Sequence, residues 1–436
     1  MTRRATKRGE ERTPLEGERA DVLVCGASFA GLAVARELAG SEADVLVLDR
    51  YEIGERATSA CAAPTPWLHA MGVEASIRQE LPYMAFTTPH GSVRYRLPWS
   101  WSSFDYRTLC ELLWAQAGEA RFETAKVEGL APGAADGELA VRTDRGVVRA
   151  PLVVDALGWR RVLDAPGYQP PAAPLSRGLE VHPPVEGPPA RGGLGGHAAA
   201  DLARPPESQE LAANSARPPP VAIATRSPRF SGAALDVWVE RSLVRRGYGW
   251  RVPAGDEARI GVGSYEPRDH VREPTQALAA RLHADPVRYQ GNWFPHRLRA
   301  ATAGAVFFAG DSAGHCFPLS GEGIRTAFYF GIACGRELAA VVAGRATREQ
   351  ALERYAAFHE RHAPAFRRAL RLQRLIPALP PRALTVLLRA IAPQPIVDRA
   401  FGWYLEQAHP AFARAPVGGG GHLSSAARRP ATTPSA

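Results

Sequence analysis

Apolar residues form short solid runs towards both ends of this chain and alternating runs in its middle. Val22-Leu23-Val24, Val45 to Leu48, Leu152 to Asp155 and Ala305 to Phe308 have the length and composition of parallel strands covered on both faces. Between the first two, Leu32 to Leu38 is rich in Ala and Leu and reads as a helix. Phe86 to Trp101 alternates like a hairpin, and Ala125 to Leu130, Glu138 to Arg142, Ala233 to Val239 and Ile260 to Ser264 read as further strands. The segment after Cys61-Ala62-Ala63-Pro64 is expected to be helical through Ile77. Another helix is expected over Thr108 to Ala117, capped by Asp105, and a long one from Ile324 to about Val342.

Residues 346–412 read as helices with proline breaks. Within them Ala369 to Ile391 carries Leu and Ile with Arg on the other face. Packing against its own domain is favoured there over lying on a membrane surface. Three stretches lack periodicity. Residues 1–19 are charged and read as a disordered arm, and the Gly-, Ser- and Arg-containing residues 416–436 as a disordered tail. Ala165 to Pro220 is rich in Pro, Gly and Ala and reads as an insertion or a mobile segment.

A chain of 436 residues holds one large domain or two to three interleaved ones. The net charge of +9 is carried almost entirely by Arg, the only lysines being Lys7 and Lys126. With no basic stripe interleaved with aromatics, nucleic acid is not expected as a partner. The five cysteines form no C-x-x-C pair, which fits a reducing, cytoplasmic setting. Arg3-Arg4 lacks a following apolar run and is not read as an export signal. No run of eighteen apolar residues occurs, so no membrane span is expected. His359 and His362 lack a third clustered ligand, so no metal site is expected either.

The stretch from Asp21 to Arg50 is strand, glycine turn, helix, strand and acid, the layout of a dinucleotide-binding βαβ unit. Gly26 permits the sharp turn, Gly31 lets helix and strand pack closely, and the helix start offers free N–H groups to a pyrophosphate. Ser28 stands where the pattern has its middle glycine. Asp49 is placed to accept hydrogen bonds from an adenosine ribose. Arg107, near the start of a helix, is placed either to meet a diphosphate or to lie in solvent. Two further strand ends, Asp155-Ala156-Leu157-Gly158 and Gly310-Asp311, are similar in kind. Three such segments suit an extended dinucleotide such as FAD better than a nicotinamide cofactor, which one βαβ unit usually serves.

Here the sequence resembles the flavoprotein monooxygenase-type fold and, within it, the geranylgeranyl reductase family. The family's aromatic-x-W-x-F-P motif followed by G-x-G is matched by Tyr248-Gly249-Trp250-Arg251-Val252-Pro253 and Gly261-Val262-Gly263, with Val252 in place of Phe. Its G-D-A-A-G and P-x-x-G-E-G-I stretches are matched by Gly310 to Gly314 and by Pro318 to Ile324. Its C-G pair is matched only at Cys61, since Ala62 replaces the glycine. The resemblance covers about residues 20–345. It implies an α/β fold in which an FAD-binding doubly wound domain, 20–165 with 295–345, is interleaved with a mostly β substrate domain, 166–294. A helical region over 346–415 follows. It further implies non-covalent FAD held by Gly26, Ser28, Gly31, Asp49, Arg50, Arg107, Val127, Gly310, Asp311, Gly321, Gly323 and Ile324. Tyr248, Trp250 and Val252 would line an apolar substrate cavity, in which few ionisable groups are expected.

The leading expectation is reduction of a carbon–carbon double bond in an isoprenoid or similar apolar substrate, with NAD(P)H or a ferredoxin as external electron donor. Cys61 is a candidate proton donor, although a lone cysteine is more often a small buried hydrophobe. An alternative keeps the flavin and lets O2 react, giving hydroxylation or epoxidation. Halogenation is disfavoured, because tryptophan halogenases use a lysine after the nucleotide unit and Lys126 lies far along the chain. A remote alternative is a serine hydrolase, since Gly310 to Gly314 fits G-x-S-x-G around Ser312 and Asp398 and His409 follow in order. Peripheral membrane contact also stays open.

Overall fold

A computed structural model describes residues 12–57, 60–132, 137–164, 175–185 and 233–414. The solid apolar runs form the centre of a six-stranded sheet. Its order is Thr302–Ala303, Val306–Phe308, Leu152–Asp155, Val22–Cys25, Val45–Asp49 and Arg121–Thr124. All neighbours run parallel except the two-residue edge strand Thr302–Ala303. Val22 to Cys25 is wholly buried because helices cover one face and the small sheet Val127–Leu130, Leu139–Thr143 and Gly146–Ala150 covers the other. That covering on both faces is why these strands are solidly apolar.

The alternating runs form a second, eight-stranded sheet. Its order is Gln290–Pro295, Leu175–Val181, Glu257–Ser264, Gly247–Ala254, Ala234–Trp238, Ile77–Thr88, Gly91–Phe104 and Ala62–Pro64. Here the structure departs from the expected boundaries. The hairpin over residues 77–104 leaves the first sheet and pairs with Ala234–Trp238, so 62–104 belongs with the substrate side. The helix expected through Ile77 stops at Ala70, a short 3-10 turn follows, and Ile77 opens a strand. Leu175–Val181 lies inside the stretch expected to be irregular, and its two sheet neighbours supply the order that composition did not signal. Residues 165–174 and 186–220 of that stretch lie outside the described residues, as do residues 1–11 of the arm and 416–436. The expected disordered arm is also partly ordered: Leu15 is buried, and Leu15, Gly17 and Ala20 donate to carbonyls of Arg145, Val147 and Arg149.

The first helix, Phe29–Glu37, crosses the long helix Ile324–Val342 at very close range. A Cβ on Gly331 would lie 2.7 Å from the Ala30 carbonyl oxygen, and one on Gly335 2.9 Å from that of Val34. Gly331→Ala should therefore destabilise the protein by about 1–3 kcal/mol, because it adds volume to a close-packed contact. A urea denaturation midpoint unchanged from wild type would contradict this packing.

Candidate active site

Both sheets border one cavity of about 1250 Å³. Its polar end is built from strand ends. Gly26 has φ +113°, and a Cβ there would sit 2.3 Å from the Ala156 carbonyl oxygen. A Cβ on Gly31 would sit 1.8 Å from the Gly26 carbonyl oxygen. These two glycines thus serve chain packing, as their spacing implied, and neither lines the cavity. Ser28 does line it. It precedes the helix without capping it, and its hydroxyl accepts from the Tyr106 hydroxyl at 3.1 Å. The first-turn N–H groups therefore have no side-chain cap.

Asp49, Arg50 and Val127 line the same end. The Asp49 carboxylate accepts from the Ala27 N–H at 2.8 Å and from the Tyr51 N–H at 3.1 Å, so it also fastens the glycine turn. Burial raises its pKa, against the pull of those two N–H groups and Arg50. Arg107 is exposed and borders a separate surface hollow with Glu52, Glu55 and Glu111. Like Gly26 and Gly31 it is a cofactor-side expectation that does not line the cavity, here because the helix it opens turns that residue outwards.

Asp155 is fully buried and accepts from the Leu157 N–H at 2.9 Å, the Leu163 N–H at 2.8 Å and the Ser312 hydroxyl at 2.7 Å. It braces the loop that carries Ala156, Leu157 and Gly158 to the cavity wall. Ser312 is likewise fully buried. The hydrolase alternative fails here. The Ser312 hydroxyl is spent on Asp155, while Asp398 accepts from Gln394 and the His409 ring packs against Trp99.

Asp311 lines the cavity, and no described residue donates to its carboxylate. Burial pushes its pKa from 3.8 up to about 6, with Arg299 opposing. Beyond it, Gly321, Gly323 and Ile324 line the wall where the long helix starts; its N-cap is Gly323, and the Glu322 carboxylate accepts from the first-turn N–H of Arg325 at 3.2 Å. Gly321 has φ +66°, and a Cβ there would come within 3.0 Å of the Tyr248 hydroxyl. The Tyr265 hydroxyl donates to the Leu319 carbonyl at 2.6 Å, and the Tyr248 hydroxyl donates to that of Ser320. Glu322 pairs with the fully buried Arg325 at 2.9 Å and accepts from the Tyr404 hydroxyl at 2.9 Å.

The apolar end contains Trp250 and Val252 as expected, with Met84, Phe86 and Trp101 from the hairpin. Tyr248 and Trp250 stand opposite Gly263 and Gly261 on the neighbouring strand. A Cβ on Gly261 would lie 2.3 Å from the Trp250 ring, so the two motifs are one device: bare strand under a flat indole. The Trp250 indole N–H donates to Glu180 at 3.1 Å. Glu180 is 3% exposed and also meets Gln290 at 3.0 Å and His182 at 2.9 Å. Glu180 thus puts a carboxyl group into the cavity wall that the sequence did not single out. Its signal in the sequence was a lone acid on a strand hidden in the irregular stretch.

Cys61 does not line the cavity, although Ala60 and Ala62 do. It is 2% exposed, with φ +49°, and its carbonyl accepts from Arg259 at 3.0 Å. Burial pushes its thiol up to about 12, with Arg259 opposing. As a proton donor it is both misplaced and too weak an acid. His359 is joined by His315, ring centroids 5.2 Å apart, but among the described residues no group of three His, Cys, Asp or Glu side chains is placed to hold a metal.

No protein-family model matches the sequence, and no curated protein is similar to it in sequence. Solved structures do match. A geranylgeranyl bacteriochlorophyll reductase-like protein from Thermoplasma acidophilum superposes with TM-score 0.69 at 16% identity, over 91% of this chain and 98% of that one. A flavin-dependent brominase gives 0.59 at 14% identity, over 91% and 97%. An anhydrotetracycline hydroxylase from Streptomyces rimosus gives 0.54 at 20% identity, over 88% and 75%. The chain shares their fold. At these identities the likeness is one of architecture, and the cavity's chemistry must be argued from its own side chains.

Ser312→Ala removes the donor to buried Asp155 and should cost about 1–3 kcal/mol of stability. Urea denaturation would measure that loss. An ester-hydrolysis assay should read the same background for both proteins; hydrolysis present in wild type and lost in the variant would restore the hydrolase reading.

Proposed function

We propose that the protein is an FAD-dependent oxidoreductase that reduces a carbon–carbon double bond in an elongated apolar substrate, an isoprenoid being the leading class. The observation that carries this reading is the division of one cavity into two chemically different ends. The polar end offers the uncapped start of Phe29–Glu37, the start of Ile324–Val342 and the unpartnered carboxylate of Asp311, which suit a diphosphate, an electron-rich ring edge and a hydroxyl-bearing linker respectively. The apolar end is walled by Trp250, Val252 and the hairpin side chains.

A flavin bound there would supply hydride to one alkene carbon. The chain's own part is to bind, orient and protonate. Trp250 and Tyr248 hold the substrate against the cofactor side, and a dry wall of this kind favours an apolar chain over water. Glu180 is the group assigned to donate the proton to the other alkene carbon. Its bond to His182, whose side chain is 15% exposed, offers a route for the proton to be replaced from solvent. The indole N–H of Trp250 orients the carboxyl group.

Asp311 makes flavin binding pH-dependent in a stated direction. Its folded pKa of about 6 lies above the ordinary 3.8, so ionising it costs the ligand-free protein stability as pH rises from about 4 to about 6. A hydroxyl donor stabilises the ionised form. FAD affinity, read by quenching of flavin fluorescence, should therefore rise as pH increases through about 6 and then level off. Asp311→Asn should flatten the profile, and Asp311→Ala should lose about 1–3 kcal/mol of FAD binding. A pH-independent affinity in wild type would remove Asp311 from the cofactor site.

Reduction and oxygenation separate in one experiment. Chemically reduced, FAD-loaded protein mixed anaerobically with prenyl alkenes should be reoxidised, giving a product heavier by two hydrogens per double bond. Glu180→Gln should slow that reoxidation about 100-fold or more while leaving FAD binding intact, within the usual contribution of a general acid. A reduced flavin untouched by alkenes but consumed by O2 with an oxygenated product would make this a monooxygenase instead.

A further inference from the structure

Six of the exposed large apolar side chains among the described residues lie within one short part of the chain: Leu372, Leu375, Val386, Leu387, Ile396 and Trp403. They sit on the helices Ala363–Leu375, Pro381–Ala390 and Gln394–Glu406. Val386 is 65% exposed and Leu375 56%. The middle helix carries one broad apolar arc, with Arg382 and Arg389 on its remaining side. Leu384 and Leu388 are buried towards the cavity, whereas Val386 and Leu387 point out. The protein covers only part of that arc, so its exposed flank calls for a non-aqueous neighbour.

The same segment, residues 363–403, holds seven arginines, all exposed, and one acid, Asp398. That charge decides between occupants. A second copy of this face would set arginines against arginines. The chain's own segments are no better matched: residues 186–232 carry five Arg against four acids, and residues 415–436 two Arg and no acid. Apolar side chains ringed by arginine are complementary to acyl chains beneath anionic headgroups. Among the described residues no helix is long and apolar enough to cross a membrane, so the contact is one of docking. Leu372 and Trp403 are both exposed and part of the cavity lining, which puts the apolar end of the cavity beside this face.

We infer that the three C-terminal helices dock the protein on an anionic lipid bilayer, with the apolar mouth of the cavity turned to the acyl region. This extends the oxidoreductase reading by naming where an apolar substrate is collected, yet it stands on the helices' side chains and not on the reaction.

The test is flotation of the full chain with vesicles of phosphatidylcholine alone or with a third phosphatidylglycerol, at low and high salt. Binding is expected only to the anionic vesicles, weaker at high salt. Arg371→Glu with Arg374→Glu, and separately Val386→Ser with Leu387→Ser, should each weaken it at least tenfold. Unchanged thermal unfolding of both variants, whose altered side chains are exposed, would show that they fold. Val287→Ser, on a different face, should bind as wild type does. Three results would overturn the inference: no flotation with anionic vesicles at low salt, equal flotation of all variants, or a vesicle-free dimer that the apolar double variant abolishes. Because flotation needs neither flavin nor turnover, a failed reductase assay leaves its outcome legible.

Discussion

The close crossing of Phe29–Glu37 over Ile324–Val342 is the contact on which the cavity's polar end depends. The first helix starts just past the strand Val22–Cys25 and the second after the loop that follows Val306–Phe308, and both starts face the same space only if the two axes come together. Gly331 and Gly335 permit that approach by leaving room for the backbone of Ala30 and Val34. Gly310 adds a third such contact, since a Cβ there would lie 2.9 Å from that of Ala30. The protein thereby holds two helix N-termini and Asp311 on one wall, giving fixed donors and an acceptor that need no reorganisation when a ligand arrives.

A second set of bonds ties the apolar end to that wall. Tyr248, Tyr265 and the Gln373 side chain hold the loop at Leu319 and Ser320, and Leu319 keeps φ +75° as a result. Glu322 and Arg325 reach further, to Tyr404 and to the carbonyl of Leu405 at 2.8 Å. Trp67 donates to the Ala408 carbonyl at 2.9 Å, and Tyr95 to that of Leu388 at 2.7 Å. The C-terminal helices are therefore bolted over the cavity by buried polar contacts, and removing one partner would leave another unsatisfied. Their prolines fit this role: Pro364, Pro381 and Pro395 stand in the first turns of helices, where a missing N–H costs nothing.

Local pattern and turn chemistry made much of this legible. The solid strands, the glycine turn, the Asp105 cap and the loop from Gly310 to Ile324 each follow from physics that acts over a few residues. Asp49 and Asp311 were legible for the same reason, because strand ends announce themselves by spacing, whereas Trp250 entered only through the family resemblance of its motif. What the sequence alone determined was thus the presence of these parts and the kind of ligand that each suits.

Tertiary structure alone decided how the parts meet. The hairpin over residues 77–104 alternates like any half-buried strand pair, and only its pairing with Ala234–Trp238 assigns it to the second sheet. Cys61 and Arg107 have suitable chemistry at suitable distances along the chain, but backbone direction turned one into the core and the other into solvent. Glu180 entered the cavity because two distant strands enclose Leu175–Val181, a non-local pairing that no local pattern encodes. Amphipathic spacing in the C-terminal helices did not reveal that the apolar arc of one of them is only partly covered. That became visible only once its inner face had found the cavity and its outer face had not been covered.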